Sequence, residues 1–474
     1  MSPQVPHPSM PVPMGVRADG TTRPALTGAE FGSVWGAPPA AFAKAETARV
    51  LGVDFRVDDP MDLTQTGWGV LFASDADPAI REQLSPLLDL RKRQVGDDKL
   101  YQEFGLEPRA KNRGVGPGQT AADWAMRREV SLEALVDPTK GVPYYLLIVG
   151  SLARIPFEFQ ALLDLQWAVG RLHFDDIDDY GRYARQLVEY EKDDFQPLQK
   201  KSAASWVTRN PLDVATAMLC GALTGEFSGS DPLGKARGFG YDEFAGKEAT
   251  KDRLKEILRG NTPGGPPAVL FTGSHGSEWP ASDKELQRRR QGALVTQEWV
   301  PGRALDGSNV FFAEDIPGDA RLHGLMVYLF ACYGGGCPAE DNFFRNSDGS
   351  RIQVAPESFV ARLPQALLAG GALAVIAHVD RAFTYSFENA AGTPQVQTMR
   401  TPLEHLMRGK RAGLAADSFN AQWGATAARV GVDVPMGAKT LTPDQANLVI
   451  ARDDARNYIV LGDPAVKLRT DKLR

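Results

Sequence analysis

Two apolar, β-prone runs stop abruptly at a reactive side chain beside glycine. They are Ala268–Gly276 (AVLFTGSHG) and Leu325–Gly336 (LMVYLFACYGGG). Three further runs share their character: Tyr144–Gly150 (YYLLIVG), Ala372–His378 (ALAVIAH) and Tyr458–Gly462 (YIVLG). Apolar continuously rather than in alternation, such strands have no face for water. With helical patterns between them, they predict an α/β fold: mostly parallel central sheets flanked by helices. In such a sheet, strands ending in His-Gly and Ala-Cys bring an imidazole and a thiol to one edge, where ligands of open α/β sheets bind.

Composition narrows the classes. The net charge of -6 and pI near 5.7 argue against a nucleic-acid coat or a polybasic membrane anchor. Three cysteines in 474 residues cannot build a disulfide framework, and they leave a free thiol for chemistry in a reducing compartment. The N-terminus (MSPQVPHPSMPVPM) lacks the basic start and apolar run of a secretory signal. No apolar stretch approaches the roughly 20 residues a bilayer requires. The expected location is cytoplasmic, with no membrane and no nucleic-acid partner.

Residues 1–35 read as a flexible Pro-rich lead, 36–200 as one αβ unit and 201–474 as a second. In the first unit, strands are expected at Gly67–Ser74 and Trp167–Leu172, helices at Pro78–Arg93 and Asp176–Lys192, and a long loop over 94–120. In the second, Asp213–Leu223 reads as a strand, and Lys247–Arg259, Phe359–Ala369, Leu403–Arg408 and Ala412–Thr426 as helices. Ala465–Arg469 reads as a last short strand.

A thiol near its reference pKa of about 8.5 is only a few per cent thiolate at neutral pH, so a nucleophilic cysteine needs a base and exposed N–H groups. Cys332 has both in prospect. His275 serves as general base and acid, the N–H groups of Gly276 and Cys332 face a developing oxyanion, and Gly334–Gly336 let a substrate backbone approach. Cys337 competes as nucleophile from inside the glycine-rich loop, and Cys220 reads as core. His378 ends a strand and could line the cleft, whereas His173, His323 and His405 sit in less suggestive places. Gly229–Lys235 (GSDPLGK) fits the start of a phosphate-binding loop, but Ala236 stands where the Mg²⁺-binding hydroxyl belongs. A zinc site from Cys332, Cys337 and a histidine lacks a second cysteine pair. The reading needs no metal and no cofactor.

With these segments in view, the chain resembles the caspase-like superfamily of cysteine peptidases, which includes caspases, gingipains and bacterial CHAT-type proteases, and most of all the gingipain side. TGSHGSEW (272–279) is similar to the gingipain histidine motif. YLLIVGSLARIP (145–156), VGRL (169–172) and LVEYE (187–191) resemble that group's non-catalytic subdomain, and YIVLGDPAVKLR (458–469) its C-terminal strand. The resemblance covers roughly 140–470. It implies a caspase-like fold of two related subdomains, 36–200 non-catalytic and 201–474 catalytic, with His275 and Cys332 as the catalytic pair and Gly276 in the oxyanion hole. Phe330 stands where caspases proper carry Gln before Ala-Cys, so their aspartate specificity is not carried over. Gingipains have a secretion signal and further domains not seen here, which points to an intracellular bacterial relative in signalling or defence.

The segment after Ala372–His378 occupies the place where caspase-like enzymes line the pocket for the P1 side chain. There Asp380 would accept a basic P1 residue and Arg381 an acidic one, and cleavage after basic P1 residues is the expectation preferred. Glu226 and Asp231 are further substrate-binding candidates. Residues 281–307 read as a polar insertion whose Arg288-Arg289-Arg290 run is an exposed processing site for an activating protease. The expected function is a cysteine endopeptidase acting on protein or peptide substrates through a thioester acyl-enzyme. The alternatives are a catalytically silent caspase-like module that binds peptides or partners, and a nucleotide switch at 229–235.

Overall fold

The apolar runs become the middle of one sheet. The computed structural model describes residues 10–25, 27, 52–105, 112–346, 348, 350–389, 391–435, 438 and 440–474. Among them, ten strands form the central sheet. In chain order these are β1 (Trp68–Phe72), β2 (Tyr101–Phe104), β3 (Tyr145–Val149), β4 (Ala168–Leu172), β5 (Lys200–Val207), β6 (Gly240–Ala245), β7 (Pro267–Gly273), β8 (Met326–Phe330), β9 (Ala374–His378) and β10 (Tyr458–Gly462). Their spatial order is β2-β1-β3-β4-β10-β9-β8-β7-β5-β6. Within β1–β4 and within β5–β9 every neighbouring pair is parallel. β10 runs antiparallel to β9 and meets β4 at Leu461–Arg171.

Both halves thus place their first strand between their second and third. Each has a crossover switch point, β1/β3 in one and β5/β7 in the other. The inner strands β1, β3, β4, β7, β8, β9 and β10 are buried at every residue, as helices on both faces require. The α/β expectation, with a mostly parallel sheet flanked by helices, is met.

The halves are joined by a buried charge cluster. Arg91, on the helix Pro78–Val95, donates from Nε to Asp463 Oδ2 at 2.7 Å, and Trp68 Nε1 donates to Asp463 Oδ1 at 2.9 Å. Glu191 binds the other side of the guanidinium at 2.7 Å. Asp463 follows β10 directly, so the Gly-Asp-Pro turn ties the C-terminal strand to the first half.

Five expectations are corrected. Residues 213–223 are not a strand but the start of the helix Val214–Ser228. Asp213 caps it, accepting from Thr216 N at 2.8 Å, and the Ala, Met and Leu that follow are strong helix formers. The 94–120 loop contains edge strand β2. Ala465–Arg469 is not a strand; Lys467 makes only an isolated bridge with Arg411. In the 1–35 lead, residues 13–16 are buried in the protein, whereas residues 1–9 and 28–35 lie outside the described residues, as does the 35/36 boundary. Residues 281–307 are not an open loop. They hold the helix Lys284–Arg290 and the strand Leu294–Val295, and they bury Trp299.

Candidate active site

β7 and β8 are adjacent and in register, Gly273 opposite Phe330, and Ser274 N–H donates to Phe330 O at 3.1 Å. Two residues further, His275 and Cys332 stand side by side at the carboxyl ends of these strands. The approach is possible only because Gly276 has no side chain: a Cβ there would lie 1.9 Å from the Cys332 carbonyl oxygen. Tyr333 then turns the chain with φ +59, unusual for a bulky residue and costing of order 1–2 kcal/mol. Its N–H is tied to Asp380 O at 2.8 Å.

The third polar member comes from the β5/β7 switch point and was not singled out in the sequence. Asp213 Oδ1 lies 3.0 Å from His275 Nε2, with both side chains buried. The same oxygen accepts from Thr216 N and Thr216 Oγ1 at 2.8 and 2.7 Å, so the helix N-terminus fixes the carboxylate. Burial drives the Asp213 carboxyl up, but the His275 charge and these bonds hold it down at about 2. Burial drives the imidazole toward its neutral form, and the Asp213 carboxylate outweighs this, holding the ring above its ordinary value. Trp299 packs edge-on against the ring at 5.7 Å. With Nε2 committed to Asp213, Nδ1 is buried with no side-chain partner among the described residues, and the Met14 backbone carbonyl beside the ring adds to the rise of its pKa. Asn210-Pro-Leu-Asp213 before an apolar run is an N-cap pattern that would have placed Asp213 at a helix start. Nothing in sequence spacing ties it to His275.

Cys332 is fully buried. Ala382 N donates to its Sγ at 3.2 Å, and burial followed by the Glu278 carboxylate pushes the thiol far above its ordinary pKa. The cover is the chain's own N-terminal segment. Gly15–Arg17 pairs in parallel with Gly276–Glu278 as the edge of a four-stranded sheet. The Gly276 N–H donates to Met14 O at 3.1 Å.

Asp380 and Arg381 lie beside this cleft, but neither is open to solvent. Asp380 accepts from Asn342 Nδ2 at 2.5 Å and from Arg381 N at 2.7 Å. Burial, then the neighbouring Asp341, pushes its carboxyl up to about 6. The Arg381 guanidinium donates to Asp341 Oδ2 at 3.0 and 3.1 Å and to Glu278, and it stacks 5.3 Å from the Tyr333 ring.

Glu226 and Asp231 are not in the site. The helix that starts beside His275 carries its far end to the amino edge of the sheet. There Arg400 binds the Glu226 and Asp231 carbonyl oxygens, and the Asp231 carboxylate is largely exposed. The GSDPLGK segment follows a helix rather than a strand, and its Gly234 N–H is bound by Glu404 at 3.1 Å, so it is no phosphate cradle.

Cys337 is buried in a two-stranded pairing with Phe359, under Gln291, and Cys220 lies inside the helix Val214–Ser228. No metal-binding cluster occurs among the described residues. His378 is buried between Asp380 O at 2.8 Å and Asp454 at 3.2 Å. His323 bonds Gln186 O, His173 lies by Tyr180, and His405 faces Ala415 O. Arg288, Arg289 and Arg290 end a helix: Arg288 pairs with Glu357 at 2.7 Å, and Arg290 stacks on Trp279 and Phe312. The exposed loop that processing there would need does not exist.

No protein-family model matches the chain, and no curated protein matches it in sequence. Among solved structures, it is similar to the complex of the Porphyromonas gingivalis RgpB pro- and mature domains, at 12% identity, over 85% of this chain and 80% of that one, with a TM-score of 0.44. It is similar to a structure described only as a protease at 12% identity, over 85% and 78%, with a TM-score of 0.47. It is also similar to the Saccharomyces cerevisiae separase–securin complex at 10% identity, over 68% of this chain and 16% of that one, with a TM-score of 0.30. Identities and scores this low transfer no activity or residue role. Among the described residues, no helix is long and apolar enough to cross a membrane.

Proposed function

We propose that this protein is a caspase-like cysteine endopeptidase with Cys332 as nucleophile, His275 as base and acid, and Asp213 as the residue that orients and charges His275. One observation carries the reading. A buried Asp213–His275 pair leaves ring nitrogen Nδ1 with no side-chain partner, at the end of a strand whose parallel neighbour ends at Cys332, each residue two positions past the paired Gly273 and Phe330. His275 Nδ1 takes the Cys332 proton, and the thiolate attacks the substrate carbonyl carbon. The Gly276 N–H, with that of Cys332, stabilises the oxyanion. The amine leaves with the proton from His275, and water hydrolyses the thioester.

Around the cleft the carboxylates of Glu278, Asp341 and Asp380 outnumber the guanidinium groups of Arg381 and Arg23. This balance disfavours an acidic P1 side chain and suits a neutral or basic one. The test is cleavage of a fluorogenic panel with Arg, Lys, Met, Leu or Asp at P1 by wild type, Cys332→Ala and His275→Ala. Cleavage lost in both variants supports the enzyme. Wild type that binds such peptides without cutting them would instead establish a binding module.

A further inference from the structure

The N-terminal segment lies in the cleft with the hydrogen bonds of a bound peptide. Against 382–384, after β9, it makes an antiparallel pairing with Pro13 opposite Phe383. Met14 N donates to Ala382 O at 2.8 Å, Thr384 N donates to Val12 O at 3.1 Å, and Val12 N donates to Thr384 Oγ1 at 3.2 Å. On the other side Met14 O accepts from Gly276 N at 3.1 Å. A Cβ on Gly15 would lie 3.5 Å from Cys332 Sγ. Residues Pro13, Met14, Gly15 and Val16 are all buried. An extended peptide added between two strand edges is a standard recognition mode. Here its Met14 carbonyl sits on the N–H proposed as oxyanion donor, beside the thiol and the His275 ring, whose pKa it helps to raise.

We infer that residues 10–14 are a built-in substrate, and that Met14–Gly15 is a self-processing site whose cleavage opens the cleft. The inference rests on the peptidase reading. It assigns Val12, Pro13 and Met14 to the P3, P2 and P1 subsites, and so names the substrate class: extended peptides with a long uncharged P1 side chain. In the step, Cys332 Sγ bonds to the Met14 carbonyl carbon and the Met14 C–Gly15 N bond breaks. Gly15 nitrogen takes the proton that His275 received from the thiol. Water then adds to the thioester, leaving a Met14 carboxylate and the free thiol. Gly15–Arg17 stays paired with Gly276–Glu278, so only the residues before Gly15 leave.

The test follows intact mass and the new N-terminus of the full chain over time, for wild type, Cys332→Ala and Met14→Pro. The last variant removes the N–H given to Ala382 and withdraws the bond from cleavage. The fluorogenic panel runs in parallel. The expected result is loss of the residues preceding Gly15 from wild type alone, at a fractional rate independent of protein concentration, with panel cleavage rising in step. Met14→Pro should cleave the panel without a lag. Wild type that cuts the panel while keeping its N-terminus, or panel cleavage by Met14→Pro beside an inert, uncut wild type, would overturn self-processing and leave the peptidase standing. No cleavage of any peptide or chain by any variant would overturn both.

Discussion

Replacing Asp213 by Asn separates the two jobs of that residue. Asn keeps the size and can still accept from Thr216 N, so the helix Val214–Ser228 keeps its cap; Ala loses it, at about 1 kcal/mol. What Asn removes is the charge facing His275 Nε2 at 3.0 Å. The Asp213 carboxyl is held from 3.8 down to about 2, so its contacts with His275 and Thr216 outweigh the cost of burying its charge by a net of roughly 2 kcal/mol. Without the charge the largest influence opposing burial is gone, while the Met14 carbonyl and Glu278 still favour the protonated ring, so the His275 pKa should fall from its raised value. The assay is an NMR titration of ¹³C-histidine protein, the signal assigned with His275→Gln, beside thermal melts of Asp213→Asn and Asp213→Ala. Peptidase activity in Asp213→Asn should fall by about 10²-fold or more, since an unaided imidazole is a poorer proton acceptor. A His275 titration unmoved by the substitution would refute the electrostatic role of Asp213.

Gly276→Ala would force a Cβ to within 1.9 Å of the Cys332 carbonyl, which is backbone and cannot swing away. Activity should vanish and stability fall by about 1–3 kcal/mol in denaturant melts. Asp463→Ala leaves the buried Trp68 Nε1–H without a partner and Arg91 with Glu191 as its remaining carboxylate, and should cost about 1–3 kcal/mol, read as a lower urea midpoint. Acidification should stabilise the protein. Burial pushes the Asp417 carboxyl up to about 7, and burial with Asp341 pushes Asp380 to about 6. Both bind protons more tightly when folded, so stability rises as pH falls through these values toward about 4. His275, raised by Asp213, has the same sign, its contribution being full below about 6.5 and lost as pH rises through its folded pKa. Thermal midpoints should climb from pH 8 to pH 5 and respond less in Asp417→Asn.

The inner strands were legible because burial on both faces leaves no polar residue to interrupt them, as in YLLIV, MVYLF and AVIAH. β5 was not: KKSAASWV is built of small and polar residues that fit close packing between neighbours. β6 and β2 are edge strands with partly exposed patterns. The Asp213 run was misassigned because an apolar stretch reads alike as buried strand or buried helix, and its N-cap was the deciding signal. His275 and Cys332 carry local marks, a glycine and a strand end. Asp213 meets His275 only through the crossover that sets β5 beside β7. The N-terminal segment gave no warning, because a Pro-rich stretch with no hydrogen bonds of its own looks the same free or bound in a cleft.

The most direct test of the account is covalent capture of the nucleophile. Wild type and Met14→Pro would be incubated with a Val-Pro-Met acyloxymethyl ketone, and the label mapped by peptide mass spectrometry. The account predicts modification at Cys332, faster in Met14→Pro, abolished by His275→Ala and slowed by Asp213→Asn. Label on Cys337 or Cys220, or labelling of Cys332 at an equal rate without His275, would contradict it.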